Sequence, residues 1–110
     1  MRTIKNYTAV DLGADSGRVI LGCVSDSVLE LKEIHRFHNE PIIEASSLRW
    51  NFNKILSEIK TGIAEAVKES NGNVAGIAVD SWGVDFGLID GTGHLCLSFM
   101  RSEVRRIVFG

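Results

Sequence analysis

Residues 8–22, TAVDLGADSGRVILG, form two apolar segments joined by a turn that carries a carboxylate, two glycines, a hydroxyl and a guanidinium. Three segments rich in Val, Ile and Leu, residues 7–12, 18–25 and 29–37, follow one another here with only short turns between them. Because a parallel pair of strands needs a crossover of about a dozen residues or more, these short connections predict three consecutive antiparallel strands.

The third segment alternates in polarity, and strict alternation places every second residue on the same face of a strand. On that basis one face carries Leu29, Leu31, Glu33, His35 and Phe37, and the other carries Glu30, Lys32, Ile34 and Arg36. The second face is more polar and is expected to be solvated. His35 and His38 are expected on opposite faces, which argues against a shared metal ion.

A helix is predicted over residues 52–69, where apolar residues recur at helical spacing and charged residues occupy the other side. Asn51 or Asn53 is expected to cap its start, and Asn71 with Gly72 to end it. The apolar face comprises Phe52, Leu56, Ile59, Ile63 and Ala66 or Val67, with Ile55 beside them.

Three further strands are predicted after the helix. Residues 74–79 form a continuous apolar run that indicates a buried strand, and residues 84–89 and about 94–99 are joined by an Asp-Gly-Thr-Gly turn. The order β-β-β-α-β-β-β indicates an α/β fold. We expect a mixed sheet of five or six strands in which the 74–79 strand lies parallel to the first, with the helix on one face as the crossover.

The composition sets further limits. A chain of 110 residues that is 45% hydrophobic and 24% charged has room for one domain. The formal net charge of -2 argues against a nucleic-acid partner, although residues 101–110 are locally basic. Cys23 and Cys96 lack a Cys-x-x-Cys spacing, and neither a signal peptide nor a membrane segment is recognisable. A reduced, cytoplasmic protein with no membrane partner is therefore expected.

The first turn has the residue types of a phosphate site. Gly13 and Gly17 allow positive φ, which would turn backbone N–H groups into a concavity suited to phosphate oxygens. Asp11 can hold a magnesium ion through water, while Ser16 and Arg18 can bind phosphate oxygens. The turn is not a Walker A loop, because a strand follows it. The alternative is a plain glycine turn with a surface arginine.

The second chemically suggestive stretch is VDSWGVDFGLIDG, residues 79–91. Asp80, Trp82 and Gly83 lie where a strand is predicted to end, which is where ligands bind in open α/β sheets, and Asp85 follows at once. An indole can stack on a sugar while carboxylates accept hydrogen bonds from the sugar hydroxyls. The alternative is a core tryptophan beside a glycine bend. Trp50, before the helix, is expected to pack as a hydrophobic staple.

Taken together, AVDLGADSGR, EIHRFHNEP, LRWNFNKILSEIKTGI and GIAVDSWGVDFGLID resemble the N-terminal part of the rhamnulokinases. These enzymes are FGGY carbohydrate kinases of the actin/hexokinase superfamily, which has a ribonuclease H-like fold. The resemblance covers about residues 7–95, and the DSWGVDF and HRFHN segments are specific to this family.

The resemblance implies ATP and Mg²⁺ as cofactors and L-rhamnulose as the sugar. It implies that Asp11 organises magnesium, that Gly83 contacts the sugar, and that Asp80, Trp82 and Asp85 wall the sugar pocket. The ATP phosphates would be lined by Gly13, Ala14, Asp15, Ser16, Gly17 and Arg18.

Two departures from the family shape the functional expectation. The family's chain is several times longer, and its catalytic aspartate lies beyond residue 110, so no catalytic base is assigned. Residues 96–110 match the family poorly, which suggests a truncated or frameshifted reading frame and an incomplete N-terminal lobe. Asp15 also adds an acidic group inside the phosphate loop.

Three functions remain open from the sequence. The first is the N-terminal part of a rhamnulokinase, inactive when alone. The second is another actin-fold phosphotransferase that shares only the hairpin, against which the DSWGVDF segment argues. The third is a non-catalytic remnant that folds and pairs with itself to cover the exposed half-site and sheet edge.

Overall fold

The structure, a computed structural model, describes residues 3–44, 46–83 and 85–99 of the chain. Within these ranges eight strands and one helix follow one another. Their bounds are β1 Ile4–Leu12, β2 Ser16–Ser25, β3 Val28–His38, β4 Ile42–Glu44, β5 Ser47–Arg49, α1 Phe52–Glu69, β6 Gly76–Asp80, β7 Phe86–Ile89 and β8 Leu95–Phe99.

A mixed sheet carries the fold, and its strand order is β3-β2-β1-β6. Strands β1, β2 and β3 pair antiparallel, while β6 pairs parallel to β1. Helix α1 supplies the crossover that a parallel pair requires. Asp26 and Ser27 both have positive φ, 46° and 68°, which closes the two-residue turn between β2 and β3. The predicted α/β class, the three antiparallel strands and the parallel fourth strand are confirmed.

The predicted size of this sheet is wrong. In the described part of the chain the main sheet has four strands, because β7 pairs with β8 in a separate hairpin. A further short hairpin, β4–β5, precedes the helix and was not predicted. The strand predicted for residues 84–89 begins at Phe86, and Val84 lies outside the described residues, as do residues 100–110.

The helix begins and ends as its sequence predicts. The Asn51 side chain caps the start by accepting from the backbone N–H of Lys54 at 3.3 Å. At the other end the N–H of Gly72 donates to the carbonyl of Val67 at 2.8 Å, while Asn71 and Gly72 adopt positive φ. This is the Schellman arrangement, which stops a helix by satisfying its last carbonyls.

The packing face of α1 is rotated from the predicted one. Its buried residues are Ile55, Gly62 and Ala66, whereas Phe52 and Leu56 stay partly exposed. Gly62 explains the rotation, because a Cβ atom there would lie only 2.8 Å from Cβ of Val19. The bare glycine lets the helix backbone come directly onto β2.

The hydrophobic core lies between α1 and the face of the sheet that it covers. Its buried apolar side chains among the described residues are Val10, Val19, Leu21, Phe37, Ile55 and Ala66. The expectation that residues 74–79 form a buried strand is wrong, since Ile77 and Val79 are 53% and 60% exposed. Strand β6 lies at the edge of the sheet, and these two side chains remain open to solvent there.

A bulge in β3 overturns the predicted sharing of faces. Val19 pairs with His35, but the adjacent Ile20 pairs with Glu33, so Ile34 is the extra residue. Because paired residues share a face, His35 and Phe37 lie on the helix side, and Leu29, Leu31 and Glu33 lie on the other side. Arg36 therefore joins Leu29, Leu31 and Glu33 on the uncovered face. His35 and His38 do lie on opposite faces, as predicted.

Side-chain pairs tie the helix to β3. His35 Nε2 lies 2.7 Å from the carboxylate of Glu58, and Lys32 forms an ion pair with Glu69. Cys23 and Cys96 are both free thiols. No helix in the described ranges is long and apolar enough to cross a membrane.

Candidate functional site

A row of four charged residues crosses the uncovered face of the sheet. Asp11 of β1 is in register with Arg18 of β2 on one side and with Asp80 of β6 on the other. Arg18 is in turn opposite Arg36 of β3. Since partners in neighbouring strands share a face, the row reads Arg36, Arg18, Asp11, Asp80. Two cations thus lie beside two carboxylates at the carboxyl ends of the parallel strands β1 and β6.

The Arg18 guanidinium organises the centre of this row. It donates to Oδ2 of Asp11 at 3.0 Å, to the carbonyl of Ser16 at 3.2 Å and to Ser16 Oγ at 3.3 Å. Its side chain is 25% exposed, against 44% for Asp11. Arg18 therefore holds the Asp11 carboxylate and the Ser16 hydroxyl in one fixed arrangement that solvent still reaches.

Asn39 fastens the β1–β2 turn to the end of β3. Its side-chain amide donates to the carbonyl of Gly13 at 3.0 Å, and its backbone N–H donates to the carbonyl of Asp15 at 2.8 Å. Asn39 is buried. No sequence pattern marked Asn39 as a site residue, although it is the last residue of the HRFHN segment.

The backbone of the turn differs from the expected one. Neither Gly13 nor Gly17 has a positive φ, so the predicted nest of inward-facing N–H groups is wrong. The N–H of Gly13 instead donates to the carbonyl of Ser16 at 2.9 Å, and Gly17 lies within β2. Ala14 and Asp15 are exposed at the tip. The polar side chains and the exposed tip, rather than a nest, are what this turn offers to a phosphate.

Gly17 is required for a different reason. A Cβ atom at this position would lie within 2.9 Å of three ring atoms of Phe37. The ring of Phe37, which is buried, therefore packs directly on the backbone of β2. This close contact sets the distance between β2 and the last residues of β3.

A second cluster joins the start of the helix to the segment after β6. The indole N–H groups of Trp50 and Trp82 both donate to Oδ2 of Asp85, at 2.8 and 2.7 Å. The two ring systems are in contact, with centroids 4.5 Å apart. The sequence predicts Trp50 only as a packing staple, and its hydrogen bond to Asp85 is a site feature that no sequence pattern indicates.

An apolar pocket of about 580 Å³ lies beside this cluster, between the start of α1 and the β7–β8 hairpin. Trp50, Leu56, Asp85 and Phe86 are among its lining residues. Oδ1 of Asp85 is buried and has no hydrogen-bond partner in the described part of the chain. The carboxylate is thus held firmly at one oxygen only.

The predicted sugar-site residues separate into two groups. Trp82 and Asp85 are in contact with each other, whereas Asp80 stands beside Asp11 in the charged row. Gly83 is exposed, and a Cβ atom added there would meet open space. A ligand is therefore free to approach the backbone at Gly83.

Magnesium is the metal that the resemblance implies, and the residues present fit it in a limited way. Asp11 and Asp80 are neighbours across β1 and β6, and carboxylate oxygens are the donors that Mg²⁺ prefers. The described residues contain no group of three or more His, Cys, Asp or Glu side chains that could hold a metal by themselves. Two carboxylates suit an ion that keeps most of its water and binds phosphate oxygens.

Comparisons with known proteins identify the relatives of this chain. No family model matches it. Among curated proteins, the rhamnulokinase of Ligilactobacillus salivarius (strain UCC118) is 40% identical over 90 residues, which are 82% of this chain and 18% of that protein. The rhamnulokinase of Lactiplantibacillus plantarum (strain ATCC BAA-793 / NCIMB 8826 / WCFS1) is 38% identical over 91 residues, 83% of this chain and 18% of its own length.

A third rhamnulokinase, from Oceanobacillus iheyensis (strain DSM 14371 / CIP 107618 / JCM 11309 / KCTC 3954 / HTE831), is 42% identical over 82 residues, 74% of this chain and 17% of that protein. The chain thus spans less than a fifth of the length of these curated relatives. The coverage is consistent with the N-terminal part of such an enzyme. The chain is therefore a sequence relative of the rhamnulokinases and corresponds to about 18% of their length.

Proposed function

We propose that this chain forms the phosphate-holding and sugar-facing part of a rhamnulokinase-like enzyme. The reaction is the ATP-dependent phosphorylation of L-rhamnulose to L-rhamnulose 1-phosphate in L-rhamnose catabolism, in the cytoplasm. The observation that carries the proposal is the position of Asp11, between Asp80 and the Arg18–Ser16 pair at the ends of two parallel strands. The names of the matched relatives support the choice of sugar kinase over another phosphotransferase.

Three residues of the charged row, Arg18, Asp11 and Asp80, have tasks in phosphoryl transfer together with Ser16. Arg18 and Ser16 bind phosphate oxygens of ATP, and Ser16 belongs to the turn from Gly13 to Gly17. Asp11 and Asp80 would hold the magnesium ion, with Asp11 kept in place by Arg18. When bound, Mg²⁺ neutralises charge that develops on the transferring phosphoryl group.

The tryptophan cluster serves the sugar. We assign Trp82 a stacking contact with the sugar ring and Gly83 a backbone contact, because its surroundings are open. Asp85 positions both indoles through Oδ2, so its main role is to hold the aromatic wall in place. The actin-like superfamily assignment belongs to this proposal and is supported by the three antiparallel strands, helix and parallel strand.

The proton of the reacting hydroxyl needs a different acceptor. Asp11, Asp80 and Asp85 already have the tasks of metal binding or positioning. We therefore expect the 110-residue chain alone to show no rhamnulose-dependent ADP release above background, because general-base help is worth about 10²–10⁴ in rate.

A chimera tests the proposed function. In the Ligilactobacillus salivarius relative, the matched 90 residues are replaced by those of this chain, and ADP release with L-rhamnulose and magnesium is measured. The chimera is expected to be active, and Asp11→Asn within it to lower turnover by about 100-fold or more. Asp26→Asn makes the same charge change at the far end of the β2 strand and is the matched control. A folded but inactive chimera, or an Asp11→Asn chimera with full turnover, contradicts the proposal.

Self-association is a second candidate, favoured by one observation. The face of the sheet opposite α1 leaves Leu29 and Leu31 60% and 67% exposed. Exposed apolar residues on an open sheet face favour association. Sedimentation velocity tests this. A dimer that Leu31→Lys converts to a monomer supports self-association, whereas a wild-type chain that is monomeric at about 100 µM argues against it.

A further inference from the structure

Arg36 of β3 lies directly opposite Arg18 of β2. Like charges placed opposite each other across a sheet repel and reduce its stability. Each guanidinium forms an ion pair with one carboxylate. Oδ2 of Asp11 lies 3.0 Å from the Arg18 guanidinium, and Oε1 of Glu33 lies 2.5 Å from Nε of Arg36. The two cations remain next to each other despite these partners.

Both guanidinium groups converge on one hydroxyl. Arg18 donates to Ser16 Oγ at 3.3 Å, and Arg36 donates to the same atom at 3.5 Å. A serine hydroxyl can accept two hydrogen bonds and donate one. With both acceptor positions facing arginines, its proton is available to an acceptor outside the protein.

The pair also keeps unused donor capacity. Nε of Arg18 is buried without a partner in the described ranges, and the Arg36 side chain is 56% exposed. Two planar guanidinium groups around a hydroxyl donor match a tetrahedral oxyanion, which accepts several charge-assisted hydrogen bonds at once. An anion placed here also relieves the repulsion between the two arginines.

We infer that Arg36 is a second phosphate-binding residue, which together with Arg18 and Ser16 holds a terminal phosphate of a nucleotide. The inference rests on the proposed function and extends it to a residue on β3. The bulge at Ile34 makes this possible. Regular alternation from Leu31 and Glu33 would place Arg36 on the helix side, and the extra residue instead places Arg36 on the same face as Arg18.

Titration of the 110-residue chain with inorganic pyrophosphate and, separately, with ADP tests the inference. The readout is the backbone amide shift of residues 13–18 in ¹⁵N spectra. Arg36→Gln is expected to weaken binding of both probes by about 10-fold, as the loss of one charge-assisted contact predicts, and to reduce its salt dependence. Arg36→Lys keeps the charge but loses the planar fork, and its affinity for each probe is expected to lie between those of the wild type and Arg36→Gln.

Two further variants make the result specific. Lys32→Gln removes the same charge from β3 on the helix side and is expected to bind like the wild type. Glu33→Gln frees Arg36 from its carboxylate and is expected to bind pyrophosphate more tightly. If Arg36 served only to pair with Glu33, Glu33→Gln would leave the affinity unchanged, and this comparison holds even if Arg36→Gln fails to fold.

The outcomes separate this inference from the proposed function. If both probes bind saturably to the wild type and to Arg36→Gln with equal affinity, Arg36 has no role in binding and the nucleotide site remains supported. Binding of pyrophosphate that depends on Arg36, without binding of ADP, supports the anion site and contradicts the nucleotide proposal. No shift with either probe at millimolar concentration overturns both.

Discussion

The ring of Phe37 lies on the backbone of Gly17, so that a Cβ atom at residue 17 would be within 2.9 Å of three ring atoms. Gly17→Val is therefore expected to lower the free energy of unfolding by about 1–3 kcal/mol, the range for overpacking, and to abolish phosphate binding by displacing Ser16 and Arg18. Urea unfolding and the amide titration measure the two effects. Phe37→Leu in the same chain should restore part of the stability; if Gly17→Val is as stable as the wild type, the close contact is not as described.

Gly62 is a second close contact, between α1 and Val19 of β2. In an exposed helix, replacing glycine by alanine stabilises by about 1 kcal/mol. Here Gly62→Ala is expected to destabilise by about 1–2 kcal/mol, because its Cβ would lie 2.8 Å from Cβ of Val19. Urea unfolding of the single variant and of the Gly62→Ala, Val19→Ala pair measures this, and the second change should recover part of the loss. A stabilised Gly62→Ala variant would show that the helix lies farther from the sheet.

The shared acceptor Asp85 couples the two tryptophans. Trp50→Phe keeps an aromatic ring but removes one N–H donor to the carboxylate, at an expected cost of about 1–3 kcal/mol in unfolding free energy. Since Trp82 donates to the same oxygen, the two losses should not add, and a double-mutant cycle with Trp82→Phe measures the coupling. Purely additive effects would show that the two hydrogen bonds are independent.

Asp90 provides a test that depends on pH. Hydrogen bonds from the Thr92 hydroxyl, chiefly, and from backbone N–H groups of His94 and Thr92 hold the pKa of the Asp90 carboxyl below its ordinary value. A carboxyl whose pKa is lower in the folded chain stabilises the fold above its unfolded pKa, and that contribution disappears as the pH falls through the folded pKa. The β7–β8 turn should therefore loosen only below about pH 4.

Carboxyl ¹³C titration of Asp90 measures this directly. Thr92→Ala removes the largest cause and should return the pKa of Asp90 toward the ordinary value, whereas Thr61→Ala on the helix is the control and should leave it lowered. An Asp90 pKa that is the same in the wild type and in Thr92→Ala would refute the role of this turn.

The local features of the sequence predicted local structure well. Short turns predicted the antiparallel hairpins, and the N-cap at Asn51 and the helix stop at Asn71 and Gly72 follow directly from residue type. The parallel pairing of β6 followed from the length of the helical crossover. These features depend on a few neighbouring residues, which a sequence displays.

Features that depend on tertiary contacts were predicted poorly. The bulge at Ile34 reversed the faces of β3, and no residue type near it signals a bulge. The sequence indicates that Gly17 allows a positive φ, whereas its actual role is to leave room for the ring of Phe37, a tertiary contact that a sequence does not show. Trp50 and Trp82 are 32 positions apart, so their shared bond to Asp85 became visible only in the fold.

We propose that the end of the β1–β2 hairpin is a nucleotide phosphate site in which Asp11 organises magnesium. Amide shifts of the wild-type chain, measured with ADP in the presence and absence of Mg²⁺, test it most directly. We expect saturable shifts at residues 11–18 and 80 that are strengthened by Mg²⁺ in the wild type and insensitive to Mg²⁺ in Asp11→Asn. No shifts at millimolar Mg²⁺ and ADP, or the same Mg²⁺ effect in wild type and Asp11→Asn, would contradict it.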